Sequence, residues 1–262
     1  MPKLSIVLCT YNAEKYLKDS LDSVFNQSYR NFELIIINDC SNDNSNDIIQ
    51  KYADRPETVI INNKYNEGVS FSRNKAFLEA RGEYIAIQDA DDITLPQRFK
   101  KEVEHLDQNP EITVVGGHAI RINETGTNIG YMTYPPKETE DAFKVIRKFK
   151  LNPIIDPSSM FRRQPILDIG GYRMVPELRT VQDFDLWCRL LVEGHRIYNF
   201  QEPLIKYRIN PQGVTRIRKQ EQVFATDLVW AAFQRKSFPD VKLRAECFLE
   251  DSGLDFLNNE RA

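Results

Sequence analysis

The chain has 262 residues, 41% of them hydrophobic and 28% charged, with a formal net charge of −3. These values fit an ordinary soluble globular protein of one large α/β domain or two small ones, exclude a general affinity for nucleic acid, and leave no run of the ~18 apolar residues that a membrane span needs. Four scattered cysteines (Cys9, Cys40, Cys188, Cys247) and three distant histidines (His105, His118, His195) argue against a zinc site, a disulfide framework and a His-rich metal centre.

Met1-Pro2-Lys3 leads straight into an apolar run with no signal-peptide pattern, so a reducing cytoplasm is the expected setting. Residues 4–9 read as a buried strand that ends at Thr10-Tyr11-Asn12, with Asn12 as an N-cap for a helix over 13–26. Residues 32–37 form a second strand, followed by the polar turn Asn38-Asp39-Cys40-Ser41-Asn42-Asp43 and a short helix over 45–52. A third strand covers 59–61, a helix 69–80 and a fourth strand 84–87. Pro96 suits the first turn of a further helix. Residues 112–122 read as a strand interrupted by Gly116-Gly117, with 129–134 pairing back onto it. Helices are predicted over 138–149 and 183–193, and short strands over 158–161 and 204–209. From 220 the chain reads as helical to near its end. Continuously apolar strands alternating with helices predict a mostly parallel sheet covered on both faces. Neither G-x-G-x-x-G nor a G-K-[ST] phosphate loop is present.

The fourth strand runs into Asp89-Ala90-Asp91-Asp92. Three carboxylates this close repel one another, and a buried cluster must neutralise or find a cation. The plain alternative is a solvated loop or a helix cap. In an open parallel sheet, ligands bind beyond the carboxyl ends of the strands. Thr10-Tyr11-Asn12, Asp39 and the acidic cluster all follow strands, which favours a shared site. Mg²⁺ or Mn²⁺ held by carboxylates and phosphate oxygens fits such a site, and implies a nucleoside diphosphate or triphosphate.

Five motifs in order resemble the family 2 glycosyltransferases of the GT-A fold: residues 5–12, residues 38–43, Asn66-Glu67-Gly68 with Arg73-Asn74, residues 89–92, and residues 181–190 beginning Val181-Gln182-Asp183. The resemblance implies a Rossmann-like central sheet in residues 1–215, with a nucleotide-sugar half over 1–110 and an acceptor half over 111–215, and a helical extension over 216–262. It implies an inverting transferase that takes a nucleotide-sugar donor and uses Mn²⁺ or Mg²⁺; Asp39, able to accept from a base N–H, favours a UDP-linked donor. Thr10, Tyr11, Asn12, Asp39, Arg73, Asp89, Ala90 and Asp91 match donor positions, with Asp39 at the base and Asp89 near the ribose. Asp91 matches the metal ligand of the D-x-D motif, and Asp92 is a second candidate. Asp183 matches the catalytic base. Gln182 stands where the family often has Glu, and Asn210 where it often has His; Arg208 remains a candidate diphosphate contact.

Tyr172 is a candidate for the acceptor side, with Ser158 and Ser159 weaker ones. Asp185 reads as structural, four residues before Arg189 on a helix. Trp187 reads as core and His118 as packed. The acceptor implied is a glycan or lipid-linked glycan in surface polysaccharide synthesis. The apolar and basic residues after 216 suggest a peripheral contact with the inner membrane face or an oligomer contact. Two other readings compete: a nucleotidyltransferase, disfavoured because residues 4–12 lack glycine, and a non-catalytic binding relative, disfavoured by Asp91 and Asp183.

Overall fold

The computed structural model describes residues 1–210 and 218–239. Its strands are β1 (Leu4–Thr10), β2 (Phe32–Asn38), β3 (Thr58–Asn62), β4 (Tyr84–Asp89), β5 (Ile93–Thr94), β6 (Ile112–Ile122), β7 (Asn128–Met132), β8 (Met160–Arg162) and β9 (Arg196–Arg208). The helices are α1 (Leu17–Phe25), α2 (Ser45–Gln50), α3 (Val69–Glu79), α4 (Arg98–Gln108), α5 (Thr139–Phe149), α6 (Arg163–Asp168), α7 (Gln182–Val192) and α8 (Lys219–Arg235).

The strands form one sheet in the order β3-β2-β1-β4-β8-β6-β9-β5, with β7 also paired to β6. β1, β2, β3, β4, β6 and β9 run in one direction, while β5, β7 and β8 oppose them. The mostly parallel sheet expected from the sequence is therefore present, with antiparallel strands in its second half.

Successive strand residues point to opposite faces, so a strand apolar at every position must be covered twice. Leu4, Ile6 and Leu8 of β1 pack with Leu17 and Leu21 of α1 and Phe99 and Val103 of α4. Val7, Ile35 and Ile87 face the other way, into Phe77 of α3 and Trp187 and Leu190 of α7. Each such side chain contributes about 1.5–3 kcal/mol on leaving water. Trp187 is fully buried, as its helical stripe predicts.

Three elements depart from expectation. The first helix begins at Leu17, after a turn, because Asn12 takes a left-handed φ of 50° and its side chain is engaged elsewhere. β9 begins at Arg196, well before the predicted 204: Phe200 pairs with Gly117 and Pro203 with His118, so a bulge absorbs the intervening residues. Pro203 and its polar neighbours hid this from the pattern. α8 sends Ala225, Val229 and Phe233 into the same core as α7, so it packs on the sheet domain. The boundary proposed near 215, and the segment after 239, lie outside the described residues.

Candidate active site

β1 lies between β2 and β4, so the chain turns to opposite sides at the β1–β4 junction, the switch point where open α/β sheets bind ligands. The register sets Thr10 opposite Asn38 and Cys9 opposite Asp89. This adjacency, which the sequence could not reveal, brings the three polar strand ends to one edge.

A cleft of about 340 Å³ opens there, lined by Tyr11, Asn12, Lys15, Asp89, Ala90 and Asp91 among others. Carboxyl oxygens of Asp89, Asp91 and Asp92 lie within 4.8 Å of one another. Burial, and then the charge of Asp89, push the Asp91 carboxyl up to about 6. Burial and the Asp91 charge push the Asp92 carboxyl up as well. Asp92 Oδ1 accepts the Arg208 backbone N–H at 2.8 Å, while its Oδ2 is buried without a partner. An orphaned buried carboxyl oxygen beside two more carboxylates is an all-oxygen donor set suited to Mn²⁺ or Mg²⁺. The residues present fit such an ion.

A second cleft of about 300 Å³ is lined by Arg73, Asp89, Asp156 and Asp183, with Tyr134, Asn152, Gln182 and Gln222. Asp89 lines both clefts. Arg73, buried on α3, donates from Nη2 to Asp89 at 2.7 Å and from Nη1 to Asp156 at 2.6 Å. Asp183 lies in the first turn of α7. Burial and the neighbouring Asp156 charge push its carboxyl up to about 7, the range that suits a general base at neutral pH.

Several expectations are corrected by these contacts. Tyr172 is fully buried rather than lining the acceptor side, and its hydroxyl donates to Asp156 at 3.2 Å. Arg208 is buried and committed to the Asp91, Asn123 and Glu124 carbonyls, with its guanidinium 4.4 Å from the Tyr16 ring centroid, so it clamps the acidic loop rather than reaching for a diphosphate. Asn12 does not cap α1; its Oδ1 accepts the Asn42 N–H at 2.9 Å and ties the first loop to the second. Asp92 does not open a helix, since α4 starts at Arg98. Ser158 and Ser159 are fully buried and bond to nearby carbonyls.

Thr10 and Asp39 are buried behind the strand ends and line neither of these two clefts. Asp39 accepts from Asn63 Nδ2 at 2.8 Å, Glu67 N at 3.0 Å and Gly68 N at 2.9 Å. It thereby fixes the loop that starts α3, at a glycine whose φ of 88° suits the absence of a side chain. The Thr10 hydroxyl has no partner. Asp185 is structural, as expected: Arg189 bonds it at 2.9 Å, and Arg173 bonds it as well. His118 is packed. Sequence reasoning missed Asp156, Asn152 and Tyr134. All three lie in segments without a motif, and only the folding of those segments over α3 and α7 gives them a role.

Residues 5–170 match the family described as Glycosyl transferase family 2. An uncharacterized glycosyltransferase of Methanocaldococcus jannaschii is 35% identical over 227 residues, covering 84% of this chain and 76% of that protein. The O-antigen biosynthesis glycosyltransferase WbnJ of Escherichia coli is 32% identical over 212 residues, 79% of this chain and 80% of its own. Among solved structures, S. aureus TarS in complex with UDP superposes with a TM-score of 0.65 at 18% identity, covering 98% of this chain and 75% of that one. The mannosyltransferase PcManGT of Pyrobaculum calidifontis, in complex with GDP-Man and Mn²⁺, gives 0.66 at 18% identity, covering 86% and 63%. The fold is of the GT-A type. The chain belongs to glycosyl transferase family 2 and is a glycosyltransferase.

Proposed function

We propose that the protein transfers a sugar, with inversion, from a nucleoside-diphosphate donor to a hydroxyl of a glycan or lipid-linked glycan in surface polysaccharide synthesis. One observation carries this reading: Asp89 lines both clefts, joining an acidic cluster fit for a cation to a cleft that holds a carboxyl poised near neutrality. The first cleft takes the nucleotide, with Asp91 as the metal ligand, Asp92 beside it and Asp89 at the ribose; Thr10, Asp39, Tyr11, Asn12, Ala90 and Arg73 shape it. A bound Mn²⁺ or Mg²⁺ supplies charge neutralisation for the leaving diphosphate. Asp183 removes the proton of the acceptor hydroxyl as that oxygen's electron pair bonds the anomeric carbon. The bond from that carbon to the diphosphate oxygen breaks, and its electrons leave on the diphosphate. Gln182 lines the acceptor side. A donor screen following nucleotide release, with and without Mn²⁺ or Mg²⁺, tests the reading. UDP-sugars are expected to turn over in a metal-dependent way, and no release from any nucleotide sugar overturns it.

The outer face of α8 supports attachment to the inner membrane surface. Val223, Phe224 and Leu228 are exposed there, and the last turn of the adjoining α5 carries Arg147 and Lys148. Sedimentation with anionic vesicles should carry the protein down, and Phe224→Glu should release it. A dimer in solution that Phe224→Glu dissociates, without vesicle binding, assigns the face to a second copy instead.

A further inference from the structure

Asn152 lies after α5, in a stretch without a motif, yet its side chain meets Asp183. Asn152 Nδ2 donates to Asp183 Oδ2 at 2.5 Å. This is the orientation a base-competent Asp183 requires, because an ionised carboxylate only accepts. The Asn152 carbonyl oxygen is then buried and has no partner. Gln182 Oε1 and Thr180 Oγ1 are also buried without partners, and all three residues line the cleft with Asp183. A buried acceptor left unpaired costs about 1–3 kcal/mol, so two amide oxygens and a hydroxyl on residues lining one cleft favour a ligand rich in hydroxyls.

The charges in the cleft narrow that ligand further. Asp183 is faced by Asp156, Arg73, Tyr134 and Tyr172, with Cys188 behind it on its own helix. Arg73 is held by Asp89 and Asp156, and Arg179 pairs with Glu221 of α8 at 2.8 Å. Among the described residues lining the cleft, each cation is thus already paired, while Asn152, Gln182 and Thr180 bring neutral polar side chains to its wall.

Resting on the reading of Asp183 as base, we propose that Asn152 positions that base through its amide N–H and recognises, through its carbonyl, a hydroxyl next to the attacking one. The acceptor is accordingly a neutral pyranose with vicinal hydroxyls, not a uronate or a phosphate-bearing end. Gln182, where the family often has a charge, serves the same neutral recognition.

The first test needs no acceptor. In protein labelled with ¹³C at Asp carboxyl carbons, the Asp183 signal is assigned by its loss in Asp183→Asn. Asn152→Ala removes a donor to the charged form, so the Asp183 midpoint should rise by roughly one pH unit. The near-isosteric Asn152→Leu removes the same donor without adding a charge and should raise it as far, which keeps the test open if the alanine variant unfolds. An unmoved midpoint in the folded variants overturns the positioning role. If Asp183→Asn retains full transfer, the base reading itself falls. If that variant is inactive while the midpoint stays put, only the role of Asn152 falls.

The second test uses saturation-transfer NMR with methyl hexopyranosides and the matching hexuronides, in the presence of UDP and the diamagnetic Mg²⁺. Neutral pyranosides should bind, and Asn152→Ala should weaken them about tenfold, one lost hydrogen bond. Preference for the uronides, or no neutral binding, overturns the acceptor class.

Discussion

Arg73 holds Asp156 through Nη1 at 2.6 Å while Nη2 of the same guanidinium holds Asp89 at 2.7 Å. One planar cation thus joins the end of β4 to the turn before β8, and two clefts share a wall. Arg73→Ala leaves the buried Asp156 unpaired. Removing one partner of a buried ion pair costs about 3–5 kcal/mol. Thermal melting should fall accordingly, and Arg73→Lys should recover little, since one ammonium cannot fork to both carboxylates. A melting curve unchanged by Arg73→Ala would contradict this.

Asp91 and Asp183 should separate donor binding from transfer. Asp91→Ala is expected to abolish metal-dependent nucleotide binding, measured by calorimetry with UDP and Mn²⁺. Asp183→Asn should bind the donor normally and lose about 10²–10⁴-fold in turnover. Competition among UDP, dTDP and GDP then reads the nucleotide preference.

The pH dependence of transfer follows from the Asp183 carboxyl near 7. A base must be ionised, so kcat/KM should rise with pH through about 7. Stability runs the other way for this group. Its folded pKa is raised, so its contribution is full below the unfolded carboxyl value and is lost as pH rises through about 7. Asp183→Asn should therefore gain stability relative to the parent between roughly pH 4 and pH 7. Paired denaturant melts across that window measure the difference, and a gap that stays constant sinks the argument.

Gly117 sits at the bulge between β6 and β9, where an added Cβ would lie 2.6 Å from Leu204 Cγ. Gly117→Ala should destabilise by about 1–3 kcal/mol, the usual effect of overpacking. Gly126, with open space around its Cβ position, is no control because its φ is 83°. The control is instead Leu204→Ala in the Gly117→Ala background. It removes the clashing atoms, so the second change should cost less than Leu204→Ala alone.

The sequence shows the first half of the fold well because β1, β2 and β4 are buried on both faces, and they and the edge strand β3 alternate with helices. The fourth strand ends in an identifiable acidic group, so Asp89 and Asp91 could be singled out from the pattern, while Asp183, in the first turn of a helix, is singled out by the family resemblance. What it could not show was adjacency. Placing β1 beside β4, and carrying Asn152 and Asp156 to Asp183, is the work of long-range packing that no local pattern records. Tyr172 illustrates the converse: an aromatic after a double glycine looks exposed, yet Phe77 and Arg73 enclose it. β9 was half hidden because Pro203 interrupts the alternation that marks a strand.

Because Asp89 is common to both clefts and tied through Arg73 to Asp156, neither ligand meets a neighbour indifferent to the other. Charge gathered on one side is felt by the carboxyl on the far side. On the proposed assignment of the clefts the two substrates are thermodynamically linked: whatever factor the nucleotide adds to acceptor affinity, the acceptor returns to the nucleotide in equal measure.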